Sequence, residues 1–338
     1  MLTKLLKNNE NDIKTAAEIL RNGGLCAIPT ETVYGLAANA FDSAAVRNIF
    51  IAKGRAQDNP LIVHISDMSE LPPLVTEIPE IVYKLADKYW PGPLTMIMNK
   101  SDLIPDEVTC GGKTVAIRMP QNPIARDIIK ASGVPLAAPS ANLSGGVSPV
   151  TAQHCIDDLT GRVDAILDGG ECTVGLESTV LLCTSNPPKL LRPGFVTPED
   201  IESVIGHIDI DDAVLHPLKE GVKPASPGMK YKHYSPKANV IIIEGDSDEY
   251  IDYVNHAKGE KIYALCFDED KDKLTVPYVT FGKHDDEKEQ AAHLFLSLRE
   301  LDEMGARTIY ARMPKSNGVG LAVLNRLLRA AAFQIITL

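Results

Sequence analysis

The side chains of this sequence that could do chemistry collect in three short stretches, each beside an expected β-strand. The first lies between Pro29 and Ile65 and reads PTETVYGLAANA, then KGRAQDNPLIVHI. Lys53, Gly54 and Arg55 close an expected helix, where cations meet the favourable end of the helix dipole and need no ligand. Arg55, Asn59 and His64, however, gather around a Pro60 turn that leads into an apolar strand, which puts them at one end of a sheet. The second stretch, PLAAPSANLSGGVSP (135–149), breaks a short strand into a loop carrying Ser140, Asn142, Ser144, Gly145, Gly146 and Ser148. Small hydroxyls and glycine let backbone N–H groups approach an anion closely, although an ordinary Ser/Gly turn has the same composition. The third pairs GLESTV (175–180) with KLLRPG (189–194), which leaves Arg192 at a strand end, a position where a lone arginine is usually solvated.

Other patterns lead nowhere. Gly111-Gly112-Lys113-Thr114 invites a phosphate-loop reading, but Glu107 stands where the pattern needs its first glycine. Gly318-Val319-Gly320 lacks the third small residue of a dinucleotide fingerprint. The histidines show no zinc-ligand spacing, and the six cysteines contain no C-x-x-C pair, so metal knuckles and disulfide frameworks are not expected. Most of the cysteines sit in apolar runs, where a free thiol behaves as a small core residue.

These clusters are positioned by an alternation of helix and strand patterns over the first 206 residues. Helices are expected at Asp12–Asn22, stopped by Gly23-Gly24, at Ser43–Lys53 with Asp42 as N-cap, and at Glu80–Tyr89, Pro123–Ala131, Thr151–Leu159 and Pro198–Ile205. Strands fit Leu25–Ile28, Leu61–Ile65, Leu94–Met98, Val115–Met119, Leu136–Ala138, Ala165–Leu167, Thr179–Cys183 and Lys189–Arg192. That is one mixed α/β sheet domain. From Asn239 the pattern becomes a regular β-α-β alternation: strands at 239–243, 261–267, 278–281 and 308–312, and helices at 248–257, 285–304 and 320–332. A small open parallel sheet wrapped by helices is expected there. The resulting division is 1–222, a linker over 223–237, and 238–338.

The 338 residues, at about 150 per domain, fit that division. Hydrophobic residues make up 44% and charged residues 23%, far from the composition of disorder. No apolar run approaches the ~18 residues of a membrane span, and the first ten residues show no secretory signal pattern, so a cytoplasmic protein is expected. The net charge of −11 disfavours broad polyanion binding. Against that acidic background, KPASPGMKYKHYSP (223–236) holds three lysines and no acid. Such a basic, Pro-rich island suits either a semi-rigid linker or a lid over an anionic ligand, with Tyr231 and Tyr234 available for ribose contact.

Taken in order, the motifs resemble a known family. PTETVYGL (29–36), Lys53-x-Arg55 with NPL and His64 downstream, WPGPLT (90–95) and VAIRMP (115–120) are followed by APSAN (138–142), GLESTV (175–180), RPG (192–194) and SPGMKYKHYSP (226–236). Together they resemble the YrdC-like family of L-threonylcarbamoyladenylate synthases in its long two-domain form. Ala56 is a departure, since many relatives carry proline there. The resemblance implies an N-terminal mixed twisted-sheet domain and a small C-terminal Rossmann-like domain. It implies a nucleotidyltransferase that combines L-threonine, bicarbonate and ATP into threonylcarbamoyl-AMP and pyrophosphate, with Mg²⁺ accompanying ATP, no organic cofactor and no protein metal site. A downstream transferase would then carry the group to tRNA, with weak or no direct RNA binding by this chain. By the same resemblance Thr32, His64, Arg118, Ser178 and the Ala138 backbone would hold threonine, with Arg118 forked onto its carboxylate. Arg55, Asn59, Thr114, Ser140, Ser148, Arg192 and Tyr234 would hold ATP, and Lys53 would join Arg55 as a catalytic phosphate or carbamate contact. A non-catalytic RNA-binding module is the alternative from another class, opposed by the charge. The related hydrogenase-maturation carbamoyltransferases would need acylphosphatase and zinc-finger regions, for which no Cys pairs exist.

Overall fold

The computed structural model describes residues 2–217 and 234–338. Most of the expected lid, residues 223–233, therefore lies outside the described residues, and of that island Tyr234, Ser235 and Pro236 are described.

The first strands belong to an eleven-stranded mixed sheet. Its spatial order is Lys4–Lys7, Ala165–Asp168, Cys26–Ile28, Gly35–Asn39, Leu136–Ala137, Ile62–His64, Thr114–Arg118, Leu94–Asn99, Thr179–Leu182, Lys189–Arg192 and Asp209–Ile210. Parallel pairing of Ile62–His64 with Thr114–Arg118 sets His64 beside Arg118, while antiparallel pairing puts His64 beside Leu136. Three of the sequence motifs thus meet through ladder register alone. The flanking helices follow their capping residues: Asp42 accepts from the N–H groups of Ala44 and Ala45, and Gly54, at φ 61°, closes Ser43–Lys53. The chain turns there and re-enters the sheet at Ile62.

Three strands of this sheet have no counterpart in the sequence pattern. Gly35–Asn39 is built of small residues with weak strand preference and is held by neighbours on both sides. Lys4–Lys7 and Asp209–Ile210 are the two edges, each paired on one side only, so neither needs a doubly apolar run.

The second sheet is all parallel, in the order Tyr278–Thr280, Ile262–Cys266, Thr308–Arg312, Asn239–Glu244, Ile335–Thr337. This is the small open sheet expected, with one added edge strand. Its last helix, Gly320–Ala330, is buried along its whole length, although it carries Asn325, Arg326 and Arg329. Polar side chains on a helix without a wet face require partners. They find them on the large-sheet side: Asn325 Nδ2 donates to the Val214 carbonyl at 2.6 Å and Arg329 Nη2 to the Ala213 carbonyl at 2.5 Å. Gly175 makes a second close approach, since a Cβ built there would lie 2.5 Å from the Ala292 Cα of the Glu287–Glu303 helix. Among the described residues no helix is long and apolar enough to cross a membrane.

Candidate active site

The motifs converge on a cleft of about 570 Å³, open to solvent, at the ends of the central strands. Of the residues singled out from sequence, Thr32, Arg55, His64, Arg118, Ala138, Ser140, Ser178, Arg192 and Tyr234 line it. The loop before Gly35 is fixed from within: Thr30 Oγ1 donates to the Val33 carbonyl at 2.6 Å and accepts from the Thr32 N–H at 3.1 Å. Thr32 Oγ1 lies 2.9 Å from Thr30 Oγ1 and accepts from Arg118 Nη1 at 2.8 Å.

Arg118 is buried and already engaged. Its Nη2 donates to Glu31 Oε1 at 2.6 Å and its Nε to the Gly92 carbonyl at 3.3 Å. With Thr32 these bonds occupy three of the five guanidinium N–H groups, leaving one on each terminal nitrogen for a ligand. Burial by itself would raise the Glu31 carboxyl, but the Arg118 charge, its hydrogen bond and backbone donors hold it below the ordinary value. The neighbouring His64 is pushed down to about 3, first by burial and then by the Arg118 charge. Its ring is therefore neutral at physiological pH. Nδ1 lies 3.1 Å from the Ile62 carbonyl, which only accepts, so Nδ1 carries the proton in this arrangement. The Ala138 N–H is donated to the same carbonyl at 2.9 Å, so a backbone contact from Ala138 to a ligand would come through its own carbonyl.

Elsewhere in the cleft, Ser178 Oγ shares a 2.7 Å bond with Thr95 Oγ1 and accepts from Arg192 Nη2 at 3.2 Å. Arg192 Nε also donates to the Ser178 carbonyl at 3.0 Å. Arg192 is thus buried, not solvated. Gly194 makes this packing possible, because a Cβ there would lie 2.3 Å from the Thr179 nitrogen. Arg55 Nη2 donates to the Asn59 carbonyl at 3.0 Å, and its Nε is enclosed with no hydrogen-bond partner. Burial brings its guanidinium down to about 10, so it stays charged at neutral pH. Tyr234 enters at φ 60°, an uncommon backbone region for a side chain of its size, and its ring stacks on Phe295 at 5.3 Å.

Four sequence-selected residues stand behind the cleft or beside it. Lys53 is only 2% exposed, and its ammonium donates to the Ser140 and Asn142 carbonyls. It holds the APSAN loop and is not among the residues lining the cleft, which corrects the surface-cation reading. Burial, with Arg55 adding, lowers it to about 7. Asn59 is buried behind Arg55. Ser148 is buried with its hydroxyl on Glu177 Oε1. Thr114 lines an adjacent cavity with Asp58, Pro60 and Cys110.

Sequence reasoning missed the acids and the cross-domain cation. Glu31 and Glu177 lie inside the PTETVYGL and GLESTV motifs, yet nothing in their spacing announces partners as distant as Arg118 and Arg326. Burial raises Glu177, while Arg326, Arg192 and the Ser148 hydroxyl bring it below its ordinary value. The available signal for Arg326 was a charged residue recurring within an otherwise apolar helical pattern. Among the described residues no three His, Cys, Asp or Glu side chains converge as a metal cage.

Residues 18–194 match the Sua5/YciO/YrdC family model, described as Telomere recombination, and residues 196–332 match that of the threonylcarbamoyl-AMP synthase C-terminal domain. The threonylcarbamoyl-AMP synthase of Pyrococcus abyssi (strain GE5 / Orsay) is 45% identical, covering 96% of this chain and 95% of its own. That of Bacillus subtilis (strain 168) is 44% identical over 99% and 97%. The crystal structure of P. abyssi Sua5 complexed with L-threonine superposes with a TM-score of 0.92 at 43% identity, over the full length of both chains. With both family models matched in order and full-length relatives this similar, the chain belongs to the Sua5/YrdC family, in its two-domain threonylcarbamoyl-AMP synthase form.

Proposed function

We propose that this protein makes threonylcarbamoyl-AMP from L-threonine, bicarbonate and ATP, releasing pyrophosphate. The observation that carries the reading is the single cleft in which the hydroxyls and neutral imidazole of Thr32, Ser178 and His64 adjoin the cations Arg55, Arg118 and Arg192. The full-length similarity to a protein crystallised with L-threonine supports it.

The threonine amine forms an N–C bond to the carbon of bicarbonate, and water leaves, giving a carbamate. A carbamate oxygen then attacks the α-phosphorus of ATP, the bond to the β-phosphate bridging oxygen breaks, and pyrophosphate departs with that electron pair. No protein nucleophile is needed; the chain supplies position and charge. Arg118, through its two remaining N–H groups, grips the amino-acid carboxylate. The threonine hydroxyl is read by Thr32, His64 and Ser178, with the Ala138 carbonyl nearby. Arg55 and Arg192 meet the phosphates, assisted by Ser140, while Tyr234 flanks the nucleotide; Asn59 and Ser148 act on the nucleotide from behind the cleft wall and Thr114 from the adjacent cavity. Lys53 acts on the reaction by holding the Ser140–Asn142 loop in shape. Mg²⁺, carried in on ATP, would offset the charge of its phosphates. The activated product is passed to a transferase that modifies tRNA.

The test is transfer of label from [¹⁴C]bicarbonate into a nucleotide product that also contains threonine. Label found in such a product supports the reading, and ATP consumption without label incorporation refutes it.

A further inference from the structure

A fully enclosed cation reaches the cleft motifs from a helix packed on the second sheet. Arg326, on the buried Gly320–Ala330 helix, has no exposed side-chain surface. Its Nε donates to Glu177 Oε2 at 2.9 Å and its Nη2 to the Glu177 carbonyl at 3.0 Å. Its Nη1 donates to the Pro193 carbonyl at 2.9 Å and to Asn325 Oδ1 at 2.8 Å. One planar group therefore ties the GLESTV motif to the RPG motif. The ties continue: the second carboxylate oxygen of Glu177 takes the Ser148 hydroxyl, Pro193 follows Arg192, and the Arg326 guanidinium lies 5.6 Å from the Tyr234 ring centroid. Ser148, Arg192 and Tyr234 are three of the residues assigned above to ATP. Of the residues assigned to threonine, Thr32 and Arg118 are held by the Arg118–Glu31 network, whereas Ser178 adjoins Glu177 in sequence and is bonded to Arg192.

We propose that Arg326 is a positioning residue for the nucleotide part of the cleft, through which the C-terminal domain sets the relative placement of Ser148, Arg192 and Tyr234; this rests on the function proposed above. A buried ion pair is a poor way to gain stability, because apolar side chains of similar volume fill such a site at least as well. A guanidinium that spends its donors on the backbone and carboxylate of two cleft motifs instead fixes geometry. Lysine keeps the charge but offers no fork to span Glu177 and Pro193.

The experiment measures binding of α,β-methylene-ATP and, separately, L-threonine to the full-length protein by calorimetry. It compares the unsubstituted chain with Arg326→Lys, Glu177→Gln and the double variant Arg326→Met/Glu177→Gln, which removes both charges of the buried pair. Thermal melting reports that each is folded. The expected result is at least tenfold weaker nucleotide binding in Arg326→Lys, with threonine binding weakened by a clearly smaller factor, through Ser178. The double variant should bind nucleotide about as poorly as Glu177→Gln alone, because the two residues act as one unit. Unchanged nucleotide binding, or nucleotide and threonine affinities falling by the same factor, overturns the proposal. If the unsubstituted protein binds no nucleotide, the functional reading fails first and takes this proposal with it.

Discussion

Replacing Arg55 by alanine separates a structural cation from a working one. In the fold Arg55 has little to hold: one bond to the Asn59 carbonyl at 3.0 Å and a longer one to the Pro60 carbonyl at 3.4 Å, with Nε unpartnered. Two such bonds contribute about 0.5–1.5 kcal/mol each, and removing a half-buried charge returns part of that. The stability loss should therefore stay near 1–2 kcal/mol, a melting shift of a few degrees. At the triphosphate, loss of a charge-assisted contact that strengthens as pyrophosphate departs costs about 3–4 kcal/mol, or roughly 10²–10³-fold in kcat/KM. The assay is continuous pyrophosphate release with threonine and bicarbonate saturating, run beside melting of the same preparations. Arg55→Lys should recover part of the loss, because charge survives but the fork does not. Activity within fivefold of the unsubstituted enzyme would show that Arg55 is only a helix-end cation. A collapse in melting temperature that matches the activity loss would show that its role is in the fold.

Amino-acid selectivity should run threonine, then serine, then valine: valine strands the polar groups of Thr32, His64 and Ser178, whereas serine forgoes one methyl worth ~1–3 kcal/mol, about 10- to 200-fold. Pyrophosphate turnover with each amino acid checks this, and valine equal to serine would contradict a hydroxyl-reading pocket. His64, depressed to about 3 by burial and the Arg118 charge, takes up a proton in the unfolded chain before it does in the folded one. Its contribution is intact above the ordinary histidine value near 6.5 and is lost as pH falls toward 3, by up to about 1.4 kcal/mol per pH unit. Denaturant titrations of His64→Asn across that window should show a flatter pH dependence than the parent; an identical slope would refute the assignment. Gly194→Ala should destabilise by about 1–3 kcal/mol through forced repacking and weaken nucleotide and threonine use alike, since its Cβ would strike the Thr179 nitrogen between Ser178 and Arg192. Melting and kinetics together report it, and an unaltered protein would mean that the backbones there can separate.

The helices were legible because their caps and breakers are local: Asp42 and Gly54 bound Ser43–Lys53 as the sequence indicates. The parallel second sheet was legible from strand–helix alternation. Gly35–Asn39 was not, because a strand of small residues is defined by its neighbours and not by its own pattern. In the site, short motifs pointed to the polar residues that line the cleft, but burial reassigned others. Lys53 reads as a surface cation from its helix position and proves to be enclosed and spent on two loop carbonyls. Arg118 reads as a free fork and is shared with Glu31 and Thr32. Glu177 and Arg326 are 149 positions apart, and no local rule links residues at that separation.

Pyrophosphate release from ATP, measured in CO₂-depleted buffer with threonine alone, bicarbonate alone, both and neither, decides whether this chain makes threonylcarbamoyl-AMP. Release is expected only when both are present, in a one-to-one ratio to threonylcarbamoyl-AMP. Release that proceeds undiminished without threonine or without bicarbonate, or ADP and phosphate in place of pyrophosphate, would contradict it.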